Sequence, residues 1–173
     1  MLDGVLNIYK EKGYTSHDVV AKMRGILRQK KIGHTGTLDP DAEGVLPVCL
    51  GQGTRLCDML TDHSKVYRAV LLFGINTDTQ DISGQILEKR PVEEKPEKVL
   101  EVIKSFIGPY DQIPPMYSAL KVDGKRLYEL ARAGKTVERQ ARPVVIHDIT
   151  VESMELPRVT MTVSCSKGTY IRT

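Results

Sequence analysis

The spacing of apolar residues predicts a strand followed by a helix at the start of the chain. A short apolar run, Val5, Leu6 and Ile8, is typical of a buried strand. Apolar residues then recur at the three- and four-residue spacing of a helix that buries one face: Val19, Val20, Met23, Ile26 and Leu27. Thr15 and Asp18 have the spacing of a capping box, so we expect the helix to begin there and to end in the basic run 28–31.

The rest of the chain mixes strand-like and helix-like segments. Apolar or alternating runs predict strands at 45–50, 66–73, 85–88, 144–154 and 159–164, the last two being a pair. Helices are expected at 54–60, at 99–106 before a glycine stop, and at 127–133. Loops or irregular structure are expected at 33–44, 77–84 and 110–125. Because strands and helices alternate without a regular βαβ rhythm, the pattern favours an α+β fold with a mixed sheet.

Composition and charge narrow the possible functions only a little. The chain has 173 residues and a net charge of +3, which permits a nucleic-acid partner without requiring one. The longest apolar runs are too short to span a bilayer, so no membrane association is expected. Cys49, Cys57 and Cys165 have no spacing typical of a metal site or a disulfide framework, and we expect three buried free thiols.

The segment 33–44 holds the strongest candidate chemistry. Three glycines, one histidine and three carboxylates share these positions. One interpretation is a solvated turn; the other is a rigid loop that presents one carboxylate in a cleft. Pro40 restricts the backbone of Asp39 and so helps to fix its direction. His34 and Asp39 lack the spacing of metal ligands, so no metal site is expected.

Five motifs together resemble the TruB-type pseudouridine synthases. They are GHTGTLDPDAEG at 33–44, SKVYR at 64–68, TDTQDISGQ at 77–85, QIPPMYSALK with GKRLYELARAG across 112–134, and KGTYIRT at 167–173. The resemblance covers nearly the whole chain in the right order. One departure lies near the N-terminus, where Glu11 stands at a position that is proline in the family.

The resemblance implies a fold and a domain organisation. The expected fold is α+β, with a mixed, largely antiparallel sheet flanked by helices. Residues 1–173 would form a catalytic domain that is truncated at its C-terminus, with a thumb-like insertion at about 110–136. The PUA-type RNA-binding domain of family members would be absent.

The resemblance also implies an activity and its residues. The chain is expected to isomerise a uridine in the T-loop of transfer RNA, at position 55, to pseudouridine, with Asp39 as the nucleophile. Supporting roles fall to His34 in base flipping, to Tyr67 and Tyr170 against the uracil, and to Arg172 held by Asp81. The reaction breaks one glycosidic bond and forms a carbon–carbon bond to the same base, so no cofactor or metal is expected.

Basic residues are expected to contact the T-arm of transfer RNA. The candidates are Lys10, Lys31, Lys121, Lys125, Arg126 and Arg132. A monomer acting in the cytoplasm is expected. Two alternatives stay open: an RNA-binding fragment without turnover, and a guide-dependent relative that modifies ribosomal RNA. Modification of naked transfer RNA without partner proteins would distinguish between them.

Overall fold

The computed structural model describes residues 1–61 and 63–173. The chain forms two compact units, Met1–His63 and Ser64–Thr173. In the described residues no helix is long and apolar enough to cross a membrane.

The first unit is a small antiparallel sheet covered by one helix. Its elements are β1 (Gly4–Lys10), α1 (Ser16–Leu27), β2 (Ile32–His34), β3 (Gly44–Leu50), a 3-10 helix (Gly51–Leu56) and α2 (Cys57–Thr61). The strand order is β1-β3-β2, and both pairs are antiparallel. The predicted strand and helix at the start of the chain are confirmed, but the expectation that the strand is buried was wrong, because Val5 and Leu6 are each 41% exposed. The helix predicted at 54–60 is part 3-10 helix, which begins earlier, at Gly51.

Local residues decide where α1 begins and ends. The Thr15 hydroxyl accepts a hydrogen bond from the Asp18 amide at 3.0 Å, and the Thr15 amide donates to the Asp18 carboxylate at 2.9 Å. This is the predicted capping box, which satisfies donors that a helix start leaves unpaired. Arg28 then takes a left-handed conformation, with φ 49°, and ends the helix. The basic run therefore follows the helix.

The core of the first unit lies between α1 and the sheet. Its buried residues are Val19, Val20, Ile32, Leu46, Val48 and Leu50. Val20 and Leu46 are each 2% exposed and Val48 is fully buried. Full burial of such a side chain contributes about 1.5–3 kcal/mol, so these contacts hold the helix on the sheet.

The second unit is built on a four-stranded antiparallel sheet. Its elements are β4 (Lys65–Leu72), β5 (Ile75–Thr77), β6 (Ile86–Lys89), α3 (Pro96–Ser105), β7 (Gly108–Gln112), β8 (Lys121–Val122), β9 (Lys125–Arg126), α4 (Leu127–Arg132), β10 (Arg142–Glu155) and β11 (Arg158–Cys165). The main sheet has the order β4-β11-β10-β7, and β5-β6 and β8-β9 form two small hairpins. Val99 and Ile103 of α3 pack on Val159 of β11, which is fully buried.

The α+β class with antiparallel strands is confirmed, as is the predicted pairing of β10 with β11. Parts of the segments predicted as loops or irregular structure are strands. Gly33 and His34 belong to β2 rather than to a loop. Residues 110–112 belong to β7 rather than to an irregular segment, because pairing with β10 outweighs the poor strand propensity of the sequence GPYDQ. Pro109 is tolerated there because β7 is an edge strand.

Candidate active site

The loop that carries Asp39 joins β2 to β3 and is held on its N-terminal side by Ser16. The Leu38 amide donates a hydrogen bond to the Ser16 hydroxyl at 3.0 Å, and that hydroxyl donates back to the Leu38 carbonyl at 3.4 Å. Ser16 is 1% exposed and is the first residue of α1. The Leu38 side chain packs against the core of the first unit. The residue before Asp39 is therefore fixed by its backbone and by its side chain.

The C-terminal side of the same loop is held through the Pro40 carbonyl. This oxygen accepts hydrogen bonds from the Gly13 amide at 2.8 Å and from the Lys10 ammonium at 3.4 Å. Lys10 also donates to the carbonyls of Tyr14 at 2.7 Å and Glu11 at 3.0 Å. With both neighbours fixed, the exposed Asp39 has a backbone of defined direction.

Lys10 is the charged residue at the base of this loop, and the prediction that it contacts RNA was wrong. Its side chain is fully buried, and its ammonium points at carbonyl groups of the protein. Burial lowers the pKa of Lys10, while the charges of Asp39, Asp41 and Glu43 oppose that shift. An ammonium in this position supports the loop that carries Asp39. Because it is buried, it is not accessible to an RNA phosphate.

His34 lies where β2 passes into the loop. It is half-buried and stands opposite Val48 of β3. Its Nδ1 is hydrogen-bonded to the Gly36 carbonyl, and the next amide, of Thr35, donates to the Pro47 carbonyl at 3.1 Å. The imidazole is thus attached to the backbone of the loop that carries Asp39.

In the second unit, Arg172 and Asp81 form a largely buried ion pair. The Arg172 Nη1 lies 2.8 Å from the Asp81 Oδ2, with side-chain exposures of 14% and 24%. The other carboxylate oxygen accepts hydrogen bonds from the Thr79 hydroxyl at 2.7 Å and the Ser83 amide at 3.0 Å. Burial by itself would raise the pKa of Asp81. The hydrogen bonds from Ser83 and Thr79, together with Arg172, outweigh it and lower that pKa. The predicted partners therefore meet, and their catalytic role stays a prediction.

The two predicted pocket tyrosines also lie in the second unit. Tyr67, on β4 opposite Val163, is half-buried and packs against the cluster of Ile146, Val163 and Cys165. Ile171 packs against the same cluster. Tyr170 is half-buried. Because Ile171 and Tyr67 pack against the same cluster, the segment that carries Tyr170 and Arg172 is anchored beside Tyr67.

The basic residues predicted on the thumb-like insertion lie on a hairpin and a short helix. Asp123 and Gly124 form the turn with φ values of 50° and 80°, as expected for a tight two-residue hairpin. The four predicted basic residues are all exposed: Lys121, Lys125, Arg126 and Arg132. The ring of Tyr128 lies 5.7 Å from the Arg126 guanidinium and 5.4 Å from that of Arg132. Lys31, in the first unit, is also exposed.

Two polar residues at the site were missed by the sequence analysis. Ser16 holds the Leu38 backbone, and no quoted motif contains it. Gln112 is the first residue of a quoted motif, and its side chain binds the backbone of Tyr170. That motif was the only signal for Gln112 and Ser16 had none, because their partners lie 58 and 22 positions away.

Within residues 1–61 and 63–173 no three acidic, histidine or cysteine residues are arranged to hold a metal ion. The candidate chemistry of the described residues is that of a carboxylate on a fixed loop, a largely buried arginine–aspartate pair and two half-buried tyrosines.

Comparisons with known proteins agree on one family. Residues 24–171 match the family described as TruB family pseudouridylate synthase (N terminal domain). The chain is 61% identical to the tRNA pseudouridine synthase B of Lachnoclostridium phytofermentans and 54% identical to that of Alkaliphilus oremlandii. In each case the match covers 99% of this chain and 58% of the relative. The chain thus spans a little over half the length of these curated relatives.

Solved structures with the same fold include chains of two complexes. A chain in the crystal structure of a Cbf5-Nop10-Gar1 complex matches with a TM-score of 0.71 and 33% identity, over 97% of this chain and 41% of that chain. A chain in the structure of an H/ACA RNP bound to a substrate RNA containing 2′-deoxyuridine matches with a TM-score of 0.69 and 29% identity, over 97% and 39%.

Proposed function

Since this chain belongs to the TruB family of pseudouridylate synthases, we propose that it isomerises the T-loop uridine of transfer RNA to pseudouridine with Asp39 as the nucleophile. In this proposal residues 1–173 belong to a catalytic domain, and the segment of about 110–136 is its RNA-gripping insertion. The enzyme acts as a monomer in the cytoplasm.

The fixed loop around Asp39 is the observation that supports this proposal most directly. The reaction breaks the bond from N1 of the base to C1′ and joins C5 to C1′. A carboxylate can assist by attack at C1′, by addition to C6 of the base, or by elimination across C1′–C2′, and each route needs an ionised oxygen held at the substrate. Asp39 is exposed, and its neighbours are tied to Ser16 on one side and to Lys10 and Gly13 on the other. Such a backbone limits the directions that its carboxylate can take.

The second unit supplies the residues that hold the detached base. Arg172 is kept in place by Asp81 and provides a charged donor at the reaction site. Tyr67 provides the aromatic face against which the uracil lies, and stacking on such a face is worth about 1–3 kcal/mol per base. Tyr170 touches the edge of the uracil as a second wall of its pocket. His34 occupies the space that the flipped nucleotide leaves in the folded RNA.

The exposed basic residues provide the contacts to the RNA backbone. Phosphate contacts position an RNA without reading its sequence, so recognition rests on the shape of the T-arm. The hairpin and helix that carry Lys121, Lys125, Arg126 and Arg132 supply one set of contacts, and Lys31 supplies another. Binding is therefore expected to weaken steeply as the salt concentration rises.

The test is release of the C5 hydrogen from unmodified transfer RNA without guide RNA, partner protein or added metal. Asp39→Asn removes the proposed nucleophile, while Asp41→Asn makes the same change in charge two residues away in the same loop. We expect Asp39→Asn to abolish release with RNA affinity within a few-fold of the parent, and Asp41→Asn to remain active. Equal loss in both variants, or normal release by Asp39→Asn, would contradict the assignment.

A transfer RNA with cytidine in place of the T-loop uridine tests the choice of site. We expect no release from that position and no release elsewhere in the RNA. Release that needs a guide RNA would instead favour the guide-dependent reaction. RNA binding by the parent without any release would favour a binding role.

A further inference from the structure

Gln112 is a buried polar residue at the end of β7, and both ends of its side-chain amide bind one other residue. It is 4% exposed. Its Nε2 donates a hydrogen bond to the Tyr170 carbonyl at 2.9 Å, and the Tyr170 amide donates to its Oε1 at 2.8 Å. The side chain thus pairs with the backbone of Tyr170 as a peptide group of a neighbouring strand would.

The segment 166–173 depends on such contacts because it lies outside the strands. A residue in a sheet is held by the backbone bonds of the ladder. In this segment one backbone bond reaches the sheet, from the Ser166 amide to the Val145 carbonyl at 2.8 Å, and side chains make the other contacts to the rest of the unit. Ile171 packs against the cluster beside Tyr67, Asp81 binds Arg172, and Gln80 accepts a hydrogen bond from the Thr173 hydroxyl at 2.9 Å. The two bonds of Gln112 differ from these contacts, because they hold the backbone of Tyr170 rather than a side chain.

We propose that Gln112 is a positioning residue, which sets the direction of Tyr170 and Arg172 for the reaction by holding the Tyr170 backbone. This inference rests on the proposed function of those two residues. Gln112 does not touch the reacting atoms. A planar amide offers a donor and an acceptor side by side, so it satisfies the carbonyl and the amide of Tyr170 at once and restricts the rotation of that backbone. Loss of the bond to Oε1 removes this partner of the Tyr170 amide, and loss of the bond from Nε2 leaves the Tyr170 carbonyl with the 3.3 Å bond from the Thr173 amide. Either loss frees the segment to reorient.

Two substitutions of similar size separate hydrogen bonding from packing. Gln112→Met keeps the length of the side chain but removes its strong donor and acceptor. Gln112→Glu keeps the shape and an acceptor for the Tyr170 amide but places a second oxygen against the Tyr170 carbonyl. Gln140→Met, at an exposed position of the same unit, is the matched control.

Single-turnover release of the C5 hydrogen and RNA affinity are measured for each variant. We expect both Gln112 variants to react at least tenfold more slowly, with RNA affinity within threefold of the parent, and the control to match the parent. Rates within twofold of an active parent would overturn the inference, as would a parallel loss of rate and affinity. If the parent itself releases no hydrogen, the proposed function fails instead.

Amide hydrogen exchange in the RNA-free protein tests the same contact without turnover. The Tyr170 amide should exchange at least tenfold faster in Gln112→Met than in the parent, while amides in β10 and β11 keep their protection. Unchanged protection at Tyr170 would overturn the inference whatever the activity of the parent. Loss of protection throughout the sheet would overturn it too, because Gln112 would then support the unit as a whole.

Discussion

Replacing Lys10 with methionine tests whether the buried ammonium holds the loop of Asp39. Methionine has a similar length and stays apolar, so the change removes the charge and its three hydrogen bonds while leaving most of the packing in place. Lys12→Met, at an exposed position two residues later, makes the same chemical change without loss of these bonds.

The expected loss of stability follows from the two shorter bonds. The ammonium donates to the Tyr14 carbonyl at 2.7 Å and to the Glu11 carbonyl at 3.0 Å, and a hydrogen bond to a charged group contributes about 1.5–3 kcal/mol. The two bonds together would give about 3–6 kcal/mol. Burial of the ammonium has an opposing cost, which is also why the pKa of Lys10 is lowered. We therefore expect the free energy of unfolding of the first unit to fall by about 2–4 kcal/mol.

The same substitution should slow the reaction, because the Pro40 carbonyl loses its contact with the ammonium, although it keeps the bond from the Gly13 amide. A displacement of a catalytic group by about 1 Å can cost roughly a hundredfold in rate, so we expect a decrease between about tenfold and a hundredfold. Urea unfolding followed by a probe in the first unit measures stability, and single-turnover release of the C5 hydrogen measures rate. Stability within about 0.5 kcal/mol of the parent, the range of ordinary surface substitutions, would refute this account.

Three further predictions concern the second unit and the chemistry. The lowered pKa of Asp81 means that its stabilising contribution is present above its ordinary value of 3.8 and is lost as the pH falls through the folded-state value. The difference in unfolding free energy between the parent and Asp81→Asn should therefore be largest near neutral pH and should shrink below about pH 4; a constant difference from pH 6 to pH 3 would contradict this. Tyr67→Phe keeps the aromatic face but removes the hydroxyl, for which proton transfer at C2′ or C5 is a hypothesis; that hypothesis predicts that RNA affinity is kept while single-turnover release falls at least tenfold, and an unchanged rate would rule it out. EDTA should leave C5 hydrogen release unchanged, because the proposed isomerisation has no redox or group-transfer step that requires a metal; inhibition reversed by added metal would show that a site was missed.

Much of the fold could be predicted because it depends on short-range patterns. The capping box of Thr15 and Asp18 acts over three residues, and the alternation at 144–154 and 159–164 matches a hairpin with a short connection. The family resemblance likewise depends on contiguous motifs. These features are visible in the sequence because their cause lies within a few positions.

The strand β7 shows where local patterns stop being sufficient. Its sequence contains glycine, proline and aspartate, which are uncommon in strands, and pairing with β10, whose partner residues lie 30 to 38 positions later in the chain, makes it one. The same pairing places Gln112 at the end of the strand, where its side chain reaches Tyr170.

By itself the sequence determined the class of fold, the start of α1 and the candidate nucleophile Asp39. Only the tertiary structure decided that Lys10 is buried beneath the loop rather than exposed to RNA, and that Gln112 holds the Tyr170 backbone. Lysine and glutamine are usually exposed, so their residue types predict the opposite environment. Their burial depends on partners at Pro40 and Tyr170, 30 and 58 positions away, and such distant contacts leave no periodic trace in the sequence.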